Sequence, residues 1–183
     1  MSQTNELEIM ERIALDLERV EESLASSFNT GAEDFNALIR PLSAAGGKRL
    51  RAQLCLLIAN AGTSIERQRI KIAEAVEMLH LATLIHDDVL DQAEIRRGED
   101  TIHMHKGNKV AILSGDYLFA KAFKIVSEMT NMKYLQVFSH IITCLVEGEF
   151  MQMEDVYRID QGIERYMTKT QKKTADGREG GRE

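Results

Sequence analysis

The sequence predicts an all-α protein, and three observations carry that reading. A single proline, Pro41, stands in 183 residues. Residues 63–97 and 116–147 contain no glycine. Apolar and small side chains recur at steps of three and four, as in Val76, Leu79, Thr83 and Leu84, and again in Val110, Leu113, Tyr117 and Leu118. That is the helical period.

Taken in order, helices are expected over about 4–28, 34–42, 48–61, 64–91, 109–129, 132–155 and 160–175. The third follows Gly46-Gly47 and begins with three bases, Lys48, Arg49 and Arg51. The fourth starts at Ser64 as N-cap, with Glu66 and Arg67 in its first turn, and ends on an acidic cluster. Its linker, 92–108, holds Arg96, Arg97, Gly98 and Gly107. No hairpin is expected: the one Asp-Gly pair, Asp176-Gly177, has no alternating strands around it. Residues 1–175 read as one domain, incomplete at its C-terminal side. Residues 176–183 have three glycines and no apolar side chain, and read as a disordered tail. Lys172-Lys173-Thr174-Ala175 looks like a helix in mid-course, so the break near 175 suggests a truncation or frameshift junction.

Composition narrows the function. Apolar residues make up 44%, enough for a real core. The net charge of −6 argues against a nucleic-acid binder driven by bulk charge. Cys55 and Cys144 sit in apolar runs and read as buried free thiols suited to a reducing cytoplasm. No signal peptide is expected, because Glu6, Glu8 and Glu11 interrupt the N-terminus. No apolar run approaches the ~20 residues that span a bilayer.

Two segments carry chemistry. In His86-Asp87-Asp88-Val89-Leu90-Asp91, Asp87 and Asp91 stand four apart and share a helix face. Their repulsion would be relieved by a hard divalent cation, and Mg²⁺ takes one or two carboxylates while keeping phosphate oxygens and water in its octahedron. Arg96 and Arg97 follow as phosphate clamps, since a guanidinium fork matches two phosphate oxygens. His80, seven residues before Asp87, falls on the same face. The second segment is Gly46-Gly47-Lys48-Arg49-Leu50-Arg51. Its helix amides with Lys48 and Arg51 make an anion site. The bland alternatives are a solvated basic first turn, a solvated acidic helix end and a core histidine. Bases at a helix N-terminus oppose the macrodipole, which favours the anion-site reading.

These residues resemble the trans-isoprenyl diphosphate synthases, the polyprenyl synthetase family. The resemblance rests on both segments, on Glu94-Ile95-Arg96-Arg97-Gly98, Ser114-Gly115-Asp116-Tyr117-Leu118 and Gly148-Glu149-Phe150-Met151-Gln152, and on Tyr166 followed by Lys173-Thr174-Ala175. It spans roughly residues 5–175 and is similar in detail to the catalytic component of hexaprenyl or heptaprenyl synthases. It implies the isoprenoid synthase fold, a helical bundle around a central cavity, with the N-terminal portion present. It implies an Mg²⁺-dependent prenyltransferase that condenses an allylic diphosphate with isopentenyl diphosphate. Lys48, Arg51, His80 and Arg97 would then hold isopentenyl diphosphate, and Asp87 and Asp91 the metal, with Asp88 in support. Arg96, Lys173, Thr174 and Gln152 would contact the allylic substrate or line its cavity. Of these, Asp87, Asp88, Asp91, Arg96 and Lys173 would be catalytic. Ala82 and Thr83, small and one turn before Asp87, would leave the product channel open for a medium or long chain, unless bulkier side chains close it deeper down. A homodimer, or a heteromer with a second synthase subunit, is expected.

Three departures stand out. No second aspartate-rich motif follows Asp91. Ala52 and Asp100 stand where the family often has proline. The missing motif leaves open an alternative, a non-catalytic substrate-binding or partner subunit. A terpene cyclase shares the fold but needs no isopentenyl site, so Lys48, Arg51 and His80 argue against it.

Overall fold

A computed structural model of the chain describes residues 3–28, 33–44, 48–61, 65–156 and 162–174. Helices dominate: α1 (Gln3–Ser27), α2 (Glu33–Ala44), α3 (Leu50–Ala61), α4 (Glu66–Leu90), α5 (Ile102–Lys106), α6 (Asn108–Ser127), α7 (Met132–Asp155) and α8 (Ile163–Thr174). A minimal antiparallel ladder, β1 (Ile95–Arg96) with β2 (Glu99–Asp100), interrupts them. The chain divides into two compact units, 1–128 and 129–183.

In the first unit α4 is the central element, packed on α6, α3 and α1. The core is built from Val20 and Leu24 of α1 and Phe28 just after it, Leu56 of α3, Ala75, Met78, Leu79, Ala82 and Ile85 of α4, and Leu118, Ala122 and Ile125 of α6. Each such large apolar side chain contributes about 1.5–3 kcal/mol by leaving water. The α1–α4 seam, however, is polar. Asp16 is 1% exposed and accepts two hydrogen bonds from Arg69, at 2.6 and 3.2 Å. Glu74 is fully buried and accepts from Ser23 and Ser27 at 2.7 Å each and from Lys71 at 2.9 Å. Buried charge persists because it is paired and hydrogen-bonded. Among the described residues, no buried side-chain nitrogen or oxygen lacks a partner.

Two local expectations are revised. The helix expected from Ser64 begins after Ile65, an extended residue with no side-chain cap; Ser64 lies outside the described residues. The linker contains the β1–β2 hairpin and α5, neither of which was expected. Its two-residue turn is Arg97 (φ 56°) and Gly98 (φ 86°), so both central residues occupy the left-handed region a tight hairpin of this hand requires. The tail 176–183 lies outside the described residues.

In the second unit, α7 starts on Asn131, whose side chain accepts from the Lys133 amide at 3.0 Å, a proper N-cap. Here α8 is tied to α7 by charge: Arg165 and Lys169 reach buried Asp155 at 2.7 and 3.2 Å, and Lys172 pairs with Glu147. Both cysteines are free thiols, and burial pushes the Cys55 thiol up to about 11, which leaves it protonated and unreactive. No described helix is long and apolar enough to cross a membrane.

Candidate functional site

The C-terminal half of α4 sorts the acidic motif onto different faces. At 100° per residue His80, Thr83, Asp87 and Asp91 fall together. Asp91 is the C-cap, and its amide donates to the Asp87 carbonyl at 2.8 Å. Asp87 is half-buried and Asp91 exposed. Two carboxylates one turn apart at a helix C-terminus repel each other and oppose the macrodipole. A cation bound there would relieve both effects. Among the described residues no group of three or more histidines, cysteines and carboxylates gathers as a complete metal cage. A pair of carboxylates is the donor set that suits Mg²⁺, which fills its remaining positions with water and substrate oxygens.

Asp88 faces elsewhere. It is 5% exposed and accepts from Arg96 Nε at 2.6 Å. Its carbonyl also accepts from the Ala93 amide. The middle aspartate thus ties β1 to the end of α4 and aims Arg96, using one nitrogen of its fork. Arg97 follows on the turn, exposed. Behind the Asp88–Arg96 pair lies a cavity of about 260 Å³, walled by Leu81, Leu84 and Ile85 of α4 and by Leu38 and Pro41 of α2.

His80 is the meeting point of the basic residues. Arg51 Nη1 stands 3.1 Å from His80 Nε2, a bond that needs the imidazole neutral and accepting. Burial, then the charges of Arg51, Arg97, Arg96 and Arg49, push the His80 pKa down to about 4. Burial and four neighbouring guanidinium groups both disfavour the imidazolium, so this corner gathers positive charge around a neutral ring. The backbone contribution expected from the start of α3 is partly taken up internally: the Ala52 amide donates to Glu77 Oε1 at 3.0 Å. Gly46 and Gly47 lie outside the described residues.

His86 received no role from the sequence, yet it fixes the motif. Its Nε2 lies 3.1 Å from the Ile112 carbonyl and 3.4 Å from Asp116 Oδ1, and its ring sits 5.5 Å from that of Phe119. A Cβ on Gly115 would come within 2.2 Å of that nitrogen. The signal was present: Gly115 stands in the Ser114–Leu118 motif, at the edge of a long glycine-free stretch. Ala82 lies one turn before His86, on this α6-facing side, and is fully buried. Thr83 shares the His80 face and donates its hydroxyl to the His80 carbonyl at 2.8 Å. Gln152 is half-buried on α7 in the second unit. Lys173 and Thr174 complete α8, with side chains outside the described part.

Known proteins match this chain in sequence and fold. The family model described as polyprenyl synthetase covers residues 32–178. The heptaprenyl diphosphate synthase component 2 of Geobacillus stearothermophilus is 38% identical over 161 residues, which cover 87% of this chain and 50% of that protein. The octaprenyl diphosphate synthase of Escherichia coli (strain K12) is 33% identical over 167 residues, 91% of this chain and 52% of that protein. A polyprenyl synthase from Caulobacter crescentus, crystallised with calcium and isoprenyl diphosphate, superposes with a TM-score of 0.86 at 33% identity, covering 92% of this chain and 52% of that one. The fold is that of the isoprenoid synthases, and the chain belongs to the polyprenyl synthetase family. It spans about half the length of the curated relatives it matches.

Proposed function

We propose that this chain handles both diphosphates in a trans-prenyltransferase, which joins an allylic diphosphate to isopentenyl diphosphate and builds a medium- or long-chain polyprenyl diphosphate. One observation carries the reading: His80, Asp87 and Asp91 share a face of α4, Arg51 Nη1 stands 3.1 Å from His80 Nε2, and burial together with the charges of Arg51, Arg97, Arg96 and Arg49 holds His80 down at about 4. Such a face wants a multiply charged anion at one end and a bridging cation at the other. The relatives are synthases by name, which favours this reading over that of a non-catalytic partner subunit.

Lys48, Arg51, His80 and Arg97 hold the diphosphate of isopentenyl diphosphate. Arg96, braced by Asp88, shares the negative charge of the allylic diphosphate, with Lys173, Thr174 and Gln152 assigned to that substrate on family resemblance. Asp87 and Asp91 would hold Mg²⁺, and its charge would make the allylic diphosphate a better leaving group. As the allylic C–O bond breaks, the diphosphate departs with the electron pair. The double bond of isopentenyl diphosphate attacks the allylic cation, and the proton then lost goes to the released diphosphate. Electrostatic stabilisation of the departing group by cations fixed in advance is the main catalytic term. Thr83, on the His80 face, leaves room for a lengthening tail, with Ala82 assigned to the same role on family resemblance.

Assembly with a second copy or a second synthase subunit is part of the same reading. It is supported by exposed apolar rows, Leu50, Leu54, Leu57 and Ile58 on α3 and Val146, Phe150 and Met153 on α7. A cytoplasmic setting suits the free thiols. The test is a prenyl-transfer assay with labelled isopentenyl diphosphate, farnesyl diphosphate and Mg²⁺, alongside calorimetric binding of each. A ladder of longer products supports the reading; binding of neither diphosphate overturns it.

A further inference from the structure

Arg49 is one of three bases at the start of α3, and the structure treats it unlike the other two. Lys48 and Arg51 are exposed, whereas Arg49 is turned inward and 7% exposed. Its backbone has φ 44°, left-handed, which a residue with a Cβ adopts only against steric resistance. Its guanidinium makes two bonds to Glu21 of α1, from Nε at 2.5 Å and Nη2 at 3.1 Å, and its Nη1 lies 3.6 Å from Glu77 Oε2 on α4. The other oxygen of Glu77 accepts the Ala52 amide, a donor that a proline at that position would lack. Burial works against the charge of Arg49, but the bonds and charges of Glu21 and Glu77 outweigh it and raise its pKa. One side chain thereby pins α1, α4 and the first turn of α3 together. His80 lies three residues after Glu77, so the buried pair Arg49–Glu77 runs beside the exposed pair Arg51–His80.

We propose that Arg49 is a positioning residue for the isopentenyl diphosphate subsite: held by Glu21 and Glu77, it forces the backbone turn that presents Lys48 and Arg51 outward on one side and sets Arg51 against His80. Glu21 and Glu77 already occupy its guanidinium, so it acts through geometry rather than by touching substrate. The inference rests on the reading of Lys48, Arg51 and His80 as that subsite.

The test compares Arg49→Gly, Glu77→Gln and Arg51→Ala in the full chain, by calorimetry with isopentenyl diphosphate and, separately, with farnesyl diphosphate plus Mg²⁺. Arg49→Gly keeps the left-handed backbone accessible but removes the clamp. Glu77→Gln keeps the acceptor for Ala52 and the side-chain volume, and so guards against loss of the fold. About tenfold weaker isopentenyl diphosphate binding in Arg49→Gly, a smaller loss in Glu77→Gln, and farnesyl diphosphate binding unchanged in both is the expected result. Equal weakening of both ligands would mean general damage and overturn the positioning role. Loss in Arg51→Ala with none in Arg49→Gly or Glu77→Gln would overturn this inference alone. No loss in Arg51→Ala would instead remove the subsite reading beneath it.

Discussion

At the scale of single residues, the aspartates of α4 place function against stability. Asp91 sits at the negative end of the helix dipole, worth about 0.3–1 kcal/mol at an exposed site, and one turn from a like charge, worth about 0.2–0.5 kcal/mol. Asp91→Asn should therefore raise the melting midpoint of the metal-free chain by about 1–6 °C while weakening the Mg²⁺ dependence of allylic diphosphate binding. A lower midpoint in differential scanning fluorimetry would show that the carboxylate has a stabilising partner. His80 gives a pH signature. Its folded pKa of about 4 lies below the ordinary value near 6.5, so the unfolded chain binds the extra proton between those limits. Stability from this group is complete above pH about 6.5 and is lost as pH falls through the window toward 4. Diphosphate reverses the sign of the local field, so binding near pH 5.5 should be accompanied by proton uptake. Calorimetry in two buffers of different ionisation enthalpy reads that uptake directly, and His80→Gln should abolish it.

Elements were legible where periodicity spoke and hidden where pairing did. The long helices α1, α4, α6 and α7 follow from the three-four spacing, and their ends agree with expectation to within a residue or two. The hairpin was illegible because strands of two residues have no alternation, and its turn is Arg97-Gly98 rather than an Asn-Gly pair. The polar α1–α4 seam was equally hidden, since acids such as Asp16, Glu74 and Glu77 ordinarily mark a solvated face, and only contact with Arg69, Lys71 and Arg49 makes them interior. Within the site, the shared face of His80, Asp87 and Asp91 was readable from spacing alone. The turning of Asp88 toward Arg96 was not, because it depends on where the hairpin returns. The contact between α4 and α6 yields a sharp expectation. Gly115→Ala drives a methyl into the His86 ring, which must leave the Ile112 carbonyl. Overpacking of this kind costs about 1–3 kcal/mol. Urea unfolding checks it, and His86→Ala in the same background should recover part of the loss by clearing the clash.

For the whole molecule, the first unit is held by two kinds of glue with different tolerances. The apolar core of α4 and α6 can absorb small losses, whereas the buried ions of the α1–α4 seam cannot lose one partner without stranding the other. The second unit, joined internally by Asp155 with Arg165 and Lys169, keeps its own ion network. The hydrogen bond from the Ala52 amide to Glu77 has a consequence in time rather than in space. The acceptor arrives on α4, twenty-five residues further along the chain, so the first turn of α3 lacks this support until α4 has docked. The first turn of α3 is thus not a loop that can open by itself; it forms late and dissolves with the core. In native-state hydrogen exchange the Ala52 proton should exchange only through global unfolding, as slowly as the amides in the middle of α4. Faster exchange, at a rate typical of a frayed helix end, would mean that this corner breathes independently.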